Sequence, residues 1–373
     1  MASAQQSHPL RSNAVKGGLF EDEYLWRDHQ KWLEACGYVL RPRYRTDWEP
    51  SWLKSKENPD NCEDGQSPMR TVVMDALRTS DNRLVSIKRV KKLDHPQEEE
   101  IIRYFSTDPL ASDPSNHSIP VYEVLQSPHM DDIQFLVMPY LICITDVKFA
   151  TLGEIIECIR QLFEGLRFMH SHYVAHCDVH MMNAMMDPVP LFSERPHPID
   201  LSRSYDFKRK TKQYTRTGHP TRYYYIDFGL SYRLSPQEGN PLVPVAFGGD
   251  KSVPEYNDPS TPKDPYKIDV YCLGNLIRED MMGRASGLDF LRPLVDDMVD
   301  PDPARRPSMD EACMRLEKLI ASLPRRKLRS RVVYWSENPI ARLYRDCRHV
   351  FRILFWIATG TPAVPSLAPT SRG

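Results

Sequence analysis

The sequence is poor in glycine, with 16 among 373 residues against 32 prolines. Its connections should therefore be stiff rather than supple. The eight cysteines (36, 62, 143, 158, 177, 272, 313 and 347) include no C-x-x-C pair. That scatter argues against a disulfide framework and for reduced thiols. No uncharged apolar run approaches the ~18–20 residues of a membrane-spanning helix. The polar stretch from Met1 to Gly18 lacks the apolar core of a secretory leader. An excess of one charge sign is also missing. With 49 basic and 50 acidic residues the net charge is −1, so bulk electrostatics points to neither nucleic acid nor a membrane. The expectation is a cytoplasmic or nuclear chain long enough for two domains and a substantial core.

What is present changes character along the chain. Residues 1–70 read as an N-terminal extension: a disordered start over 1–18, a helix between Phe20 and Cys36 stopped by Gly37, and an extended, aromatic and basic strap from Arg41 to Trp52. Residues 53–70 are polar and proline-punctuated, as in a linker. Thr71–Arg78 and Arg83–Val90 flank Ser80-Asp81-Asn82 as a hairpin. An acidic helix over Gln97–Phe105 and strands at Ile119–Leu125 and Gln134–Met138 follow. Beyond Pro139 the period becomes helical. Thr151-Leu152-Gly153-Glu154 is a capping-box pattern, and Ile155, Ile156, Ile159, Leu162, Phe163, Leu166 and Met169 keep one apolar face. Further helices are expected at Lys267–Glu279, Leu288–Val299 and Ser308–Leu323. A β-rich part over 71–139 before a helical part over 140–322 predicts an α+β, two-lobe fold.

Two short segments carry chemistry. His176-Cys177-Asp178-Val179-His180-Met181-Met182-Asn183 supplies a carboxylate and an amide five residues apart, and Asp227-Phe228-Gly229 follows 44 residues after Asn183. One carboxylate can meet an acceptor hydroxyl while an amide oxygen and a second carboxylate hold Mg²⁺. Lys88 closes Val85-Ser86-Ile87-Lys88 on the second hairpin strand. Glu98 stands one turn before Ile101, Ile102 and Phe105, with Glu99 and Glu100 as near competitors. Met138-Pro139-Tyr140, Val253-Pro254-Glu255, Asp269-Val270-Tyr271-Cys272-Leu273-Gly274 and Arg305-Arg306-Pro307 complete the series. In that order the segments resemble a eukaryotic-type protein kinase domain over residues 71–322, and in detail the divergent kinase-like proteins of fungi.

The resemblance implies a bilobal fold with ATP between the lobes, and transfer of the γ-phosphoryl group to a Ser or Thr hydroxyl of a protein substrate. On it, Asp178 accepts or orients the substrate hydroxyl, and His180 stands near the γ-phosphate. Asn183 and Asp227 hold Mg²⁺; Lys88, held by Glu98, anchors ATP phosphates; the Met138–Tyr140 backbone meets adenine. His176, Glu255, Asp269 and Arg306 are structural. The alternatives are a pseudokinase scaffold with weak or no turnover and a small-molecule phosphotransferase. The departures are specific. Cys177 stands where kinases usually carry Arg, and the stretch over 56–73 that should cover the phosphates holds only Gly65.

Three further segments allow two readings each. The insertion over 191–222 carries eight basic residues against three acidic and is either a docking loop or a solvated insertion. Thr215–Tyr225, at its end, is aromatic enough to return as a strand. His170, His172, His176, Cys177 and His180 crowd together and have zinc-ligand chemistry, against which stands the kinase-like role of His176. The tail over 323–373 contains a basic amphipathic helix over 340–358. Its apolar face, from Ile340 to Ala358, either packs on the large lobe, the favoured expectation, or makes weak contact with an anionic membrane surface.

Overall fold

Alternating apolar residues build the first sheet. Tyr38–Leu40 (β1), Val73–Arg78 (β2), Arg83–Lys91 (β3), Glu123–Gln126 (β4) and Ile133–Pro139 (β5) pair antiparallel in the order β1-β2-β3-β5-β4. The hairpin turns where expected, pairing Arg78 with Arg83, and Asn82 takes the left-handed backbone (φ 55°) that Asn tolerates. Tyr24–Ala35 (α1) lays Trp26 and Leu33 against Met74, Ala76, Val85, Ile87 and Phe135 in one apolar cluster. Gly37 ends that helix at φ 93°. A computed structural model describes residues 18–367, except 69, 95, 236 and 238–241; the stretch read as disordered, 1–18, lies outside the described residues but for Gly18.

The chain forms a mixed α+β structure in two units, one drawn from residues up to 94, 121–140 and 192–213, the other from 95–120, 141–191 and 214 onward. This partition corrects the boundary expected at residue 70. The supposed strap is not extended: it forms a tight turn over Pro42–Tyr44 and the short helix Ser51–Ser55 (α2). Arg41 and Arg43 are both fully buried there. Arg41 Nε donates to Asp75 Oδ1 on β2 at 3.2 Å, and Arg43 and Tyr44 both donate to Glu23. The supposed linker is held too, for Asp64 accepts from Trp48 Nε1 and from both N and Oγ of Ser51.

The insertion is also folded rather than a loose loop. Residues 192–213 belong to the first unit, where Tyr205 Oη reaches Asp75, His197 reaches Glu63, and Arg195 donates to the carbonyl of Asn82. Lys208, Arg209 and Lys210 remain exposed. Residues 214–222 belong instead to the second unit. Arg216 is buried there, donating to the carbonyls of Ile144 and Val147 and lying 4.1 Å over the Phe149 ring.

The second unit is mainly helical. Glu98–Phe105 (α3) precedes Leu152–Ser171 (α4), whose continuous apolar face packs on Met309–Ala321 (α7). Pro265–Asn275 (α5) packs on Arg292–Met298 (α6), with Gly274 permitting close approach to Met298. After α5 the helix widens into a π-type turn over Leu276–Met282. A small sheet joins Ile142–Cys143 (β6), Ala184–Met186 (β8) and Tyr223–Tyr225 (β9), while Val174–Ala175 (β7) pairs with Tyr232–Arg233 (β10). The return strand anticipated in Thr215–Tyr225 is thus present but short. The capping box is only half made. Thr151 Oγ1 accepts from Glu154 N, yet Glu154 turns to the N–H groups of Ala150 and Thr217 instead of the cap.

The tail is part of this unit rather than separate. Leu152 N–H donates to the Ser330 carbonyl, and Phe149 N–H to the Tyr334 hydroxyl. Arg325–Leu328 (α8) leads to Pro339–Ala358 (α9), capped by Asn338. The favoured expectation for α9 fails. Its covered side is that of His349 and Trp356, which is 5 % exposed, while Ile340 and Phe351 are 83 % and 74 % exposed. Periodicity found the apolar face but assigned it to the wrong side.

Candidate active site

The loop between β7 and β8 is fixed from beneath. Asp269, on α5 and fully buried, accepts from the N–H groups of His176 and Cys177, both at 2.7 Å, and lies 2.9 Å from His170 Nε2. Those donors hold Cys177 at φ 60°, a left-handed backbone unusual outside glycine. Asp227 is the second such residue in the site, at φ 67°. His176 is fully buried. Its Nδ1 faces the Asp178 N–H, so the remaining Nε2–H is the donor to the Ile226 carbonyl at 3.1 Å. The ring also packs 5.3 Å from Phe228, itself buried.

Asp178 is then surrounded by donors. Asn183 Nδ2 donates to its Oδ2 at 2.8 Å and to its carbonyl at 3.0 Å. Gly249 N–H donates to Oδ1 at 2.6 Å, and His180 Nε2 stands 3.5 Å from the same oxygen. Burial alone would raise this carboxyl's pKa. Hydrogen bonds from His180 and Gly249 outweigh it and leave the pKa below the usual aspartate value. The His180 tautomer follows from its neighbour, since Nδ1 accepts from Met182 N–H.

Asn183 links this group to the D-F-G turn, because Ile226 N–H donates to its carbonyl at 3.0 Å. With Nδ2 committed to Asp178, its Oδ1 is the acceptor left for a cation. An amide oxygen and the Asp227 carboxylate are hard donors of the kind that suit Mg²⁺. The crowded histidines and Cys177 do not converge as a zinc site. Among the described residues no group of three or more His, Cys, Asp or Glu is placed to hold a metal. His172 faces the Phe168 carbonyl, and Cys177 is buried, its thiol pKa pushed up chiefly by burial.

Of the residues read as structural, Glu255 and Arg306 are brought together. Arg306 grips Glu255 through two nitrogens, at 2.6 and 3.0 Å, while its remaining donors reach the carbonyls of Lys267 and Asp300. Among the three acidic competitors on α3, Glu98 is the buried one; Glu99 pairs with Arg103 and Glu100 with Arg233. Lys88 lies in the first unit, opposite Val73 and Leu136, as do Met138, opposite Ser86, and Tyr140.

Two features escaped the sequence reading. Gly248 and Gly249 lie against Asp178 and His180 so closely that a Cβ on either would collide with them. A Gly-Gly pair in a glycine-poor chain was the available signal. Gly65, by contrast, faces the Pro59 carbonyl and serves packing. The connection from β1 to β2 runs through short turns at Pro59–Asn61 and Glu63–Gly65. No protein-family model and no curated protein matches this chain.

Proposed function

We propose that the chain is a protein-kinase-like phosphotransferase that uses ATP and Mg²⁺ to phosphorylate a Ser or Thr hydroxyl of a protein. One observation carries the reading: a single carboxylate, Asp178, is oriented by Asn183, His180 and the Gly249 N–H, on a loop braced by Asp269. An antiparallel sheet bearing Lys88 in one unit, and a mainly helical second unit with the catalytic loop, are the parts a bilobal kinase-like fold requires.

On this reading Asp178 accepts the hydrogen bond of the substrate hydroxyl and aims its oxygen at the γ-phosphorus. A carboxylate with a lowered pKa is a weak base, so its main contribution is position. The hydroxyl–phosphorus bond forms as the bond to the β-phosphate oxygen breaks, and the hydroxyl proton leaves by way of Asp178. Asn183 and Asp227 are the residues that would hold Mg²⁺, which would supply neutralisation of phosphate charge. His180 offers a hydrogen bond in place of an assured positive charge.

The test is γ-phosphoryl transfer from radiolabelled ATP by the native protein, Asp178→Asn and Asp227→Ala. Transfer by the native chain alone supports the reading; equal background in all three ends it. A second reading, a scaffold that binds nucleotide without turnover, is favoured by the segment over 56–73, whose one glycine is spent on packing. A Mg²⁺- and nucleotide-dependent rise in melting temperature without transfer would select it.

A further inference from the structure

Helix α9 presents an apolar surface that its own unit leaves uncovered. Ile340, Leu343, Tyr344, Val350, Phe351, Leu354, Phe355 and Ile357 are all more than half exposed, from 55 % for Val350 to 83 % for Ile340. At about 100° per residue they spread over roughly half of the helix circumference. His349 and Trp356 hold the opposite side to the protein, with His349 Nε2 against the Arg329 carbonyl at 2.9 Å. Scattered single apolar residues need no explanation, whereas a contiguous patch of this size does.

Charge surrounds the patch asymmetrically. Arg342, Arg345, Arg348 and Arg352 lie on the helix, and its one acid, Asp346, is engaged by Arg331 at 2.6 Å. Glu337, before the helix, is taken by Arg331 and Arg345. Among the described residues no carboxylate pairs with Arg342, Arg348 or Arg352. Arg352 lies close enough to Arg348 that, after burial, that neighbour is the next cause lowering its pKa. Arg348 and Arg352 therefore border one edge of the apolar half-cylinder without an ion-pair partner among the described residues.

We infer that α9 is a docking surface for an anionic lipid bilayer, lying in the plane of the interface with Phe351, Leu354 and Phe355 among the acyl chains. The width of the face decides between occupants. A second helix would cover a narrow seam and leave Tyr344 and Phe355 wet, and antiparallel copies would set arginine flank against arginine flank. A flat bilayer covers the whole half-cylinder, and its headgroups supply the missing negative charge. No helix among the described residues is long and apolar enough to cross a membrane, so the contact is superficial.

The experiment is flotation of the full chain with vesicles of phosphatidylcholine alone or with about one third phosphatidylserine, a composition chosen to give a strong surface potential. Binding to the mixed vesicles is expected, abolished by Phe351→Glu with Leu354→Glu and weakened about tenfold by Arg348→Glu with Arg352→Glu. All four sites lie on the surface or the helix flank, so unchanged melting curves should accompany the loss. Cys347, the exposed cysteine on this face, gives an independent reading: an environment-sensitive dye there should shift to the blue with mixed vesicles. Absence of binding, equal binding to both vesicle types, or a lipid-free dimer dissolved by Phe351→Glu would overturn the inference.

Discussion

The N–H of Gly249 donates to Oδ1 of Asp178 at 2.6 Å, across 71 positions of sequence. The segment before Pro254 thereby holds the carboxylate on which the proposed chemistry depends. Gly249→Ala must push the His180 ring or that segment aside. Transfer should fall on the order of tenfold, corresponding to the loss of about one hydrogen bond. Steady-state kinetics checks this, and an unchanged kcat/KM would show that the contact does not matter.

The same contact sets a pH dependence. Asp178 ionises below its ordinary range, so its contribution to stability is present above the unfolded value and is lost only as pH falls through the lower folded one. Activity should therefore show no Asp178 limb near neutrality. A pH profile of kcat/KM checks this: an acid limb near neutrality that moves in Gly249→Ala, which disturbs a donor to this carboxylate, would contradict it.

Glu255 and Arg306 form a buried, two-point ion pair. Arg306→Ala strands a buried carboxylate and should cost about 3–5 kcal/mol. Arg306→Lys cannot reproduce the forked geometry and should recover only part. Denaturant unfolding curves measure both; a loss below about 1 kcal/mol, the level of an exposed pair, would mean that the pair is not the brace described.

Cys177 offers no cation to a phosphorylated residue, so phosphorylation of the segment between Leu230 and Ser252 should not be the switch. The informative variants are Tyr232→Phe and Ser235→Ala, which should leave transfer unchanged. Ser231 and Ser252 would mislead, because Ser231 Oγ donates to the His176 carbonyl at 2.9 Å and Ser252 Oγ to Asp250. Ser231→Ala should cost about 1 kcal/mol on structural grounds alone. A large loss of transfer in Tyr232→Phe or Ser235→Ala, with the fold intact, would reverse the argument.

Local signals were readable in the chain. The Ser80-Asp81-Asn82 turn, the Thr151 cap, the buried Glu98 among three acids and the loop from His176 to Asn183 each depend on residues a few positions apart. What could not be read depends on distant partners. Arg41 meets Asp75 and Leu152 meets Ser330 only after folding, so an apparent strap and an apparent tail were set aside from the units they complete. Helix α9 shows a different limit: periodicity finds an amphipathic face, but only the position of Trp356 reveals which side is covered.

The buried Arg41 has a practical corollary. A fragment beginning at Thr71, where sequence reasoning would cut, would lose β1 and leave β2 as a raw sheet edge with unpaired N–H and C=O groups. Asp75 would remain without its guanidinium, and the cluster of Met74, Val85 and Phe135 without Trp26 and Leu33. An exposed edge beside an uncovered apolar surface is a template for aggregation. Such a fragment should collect in inclusion bodies, and its inactivity would say nothing about catalysis.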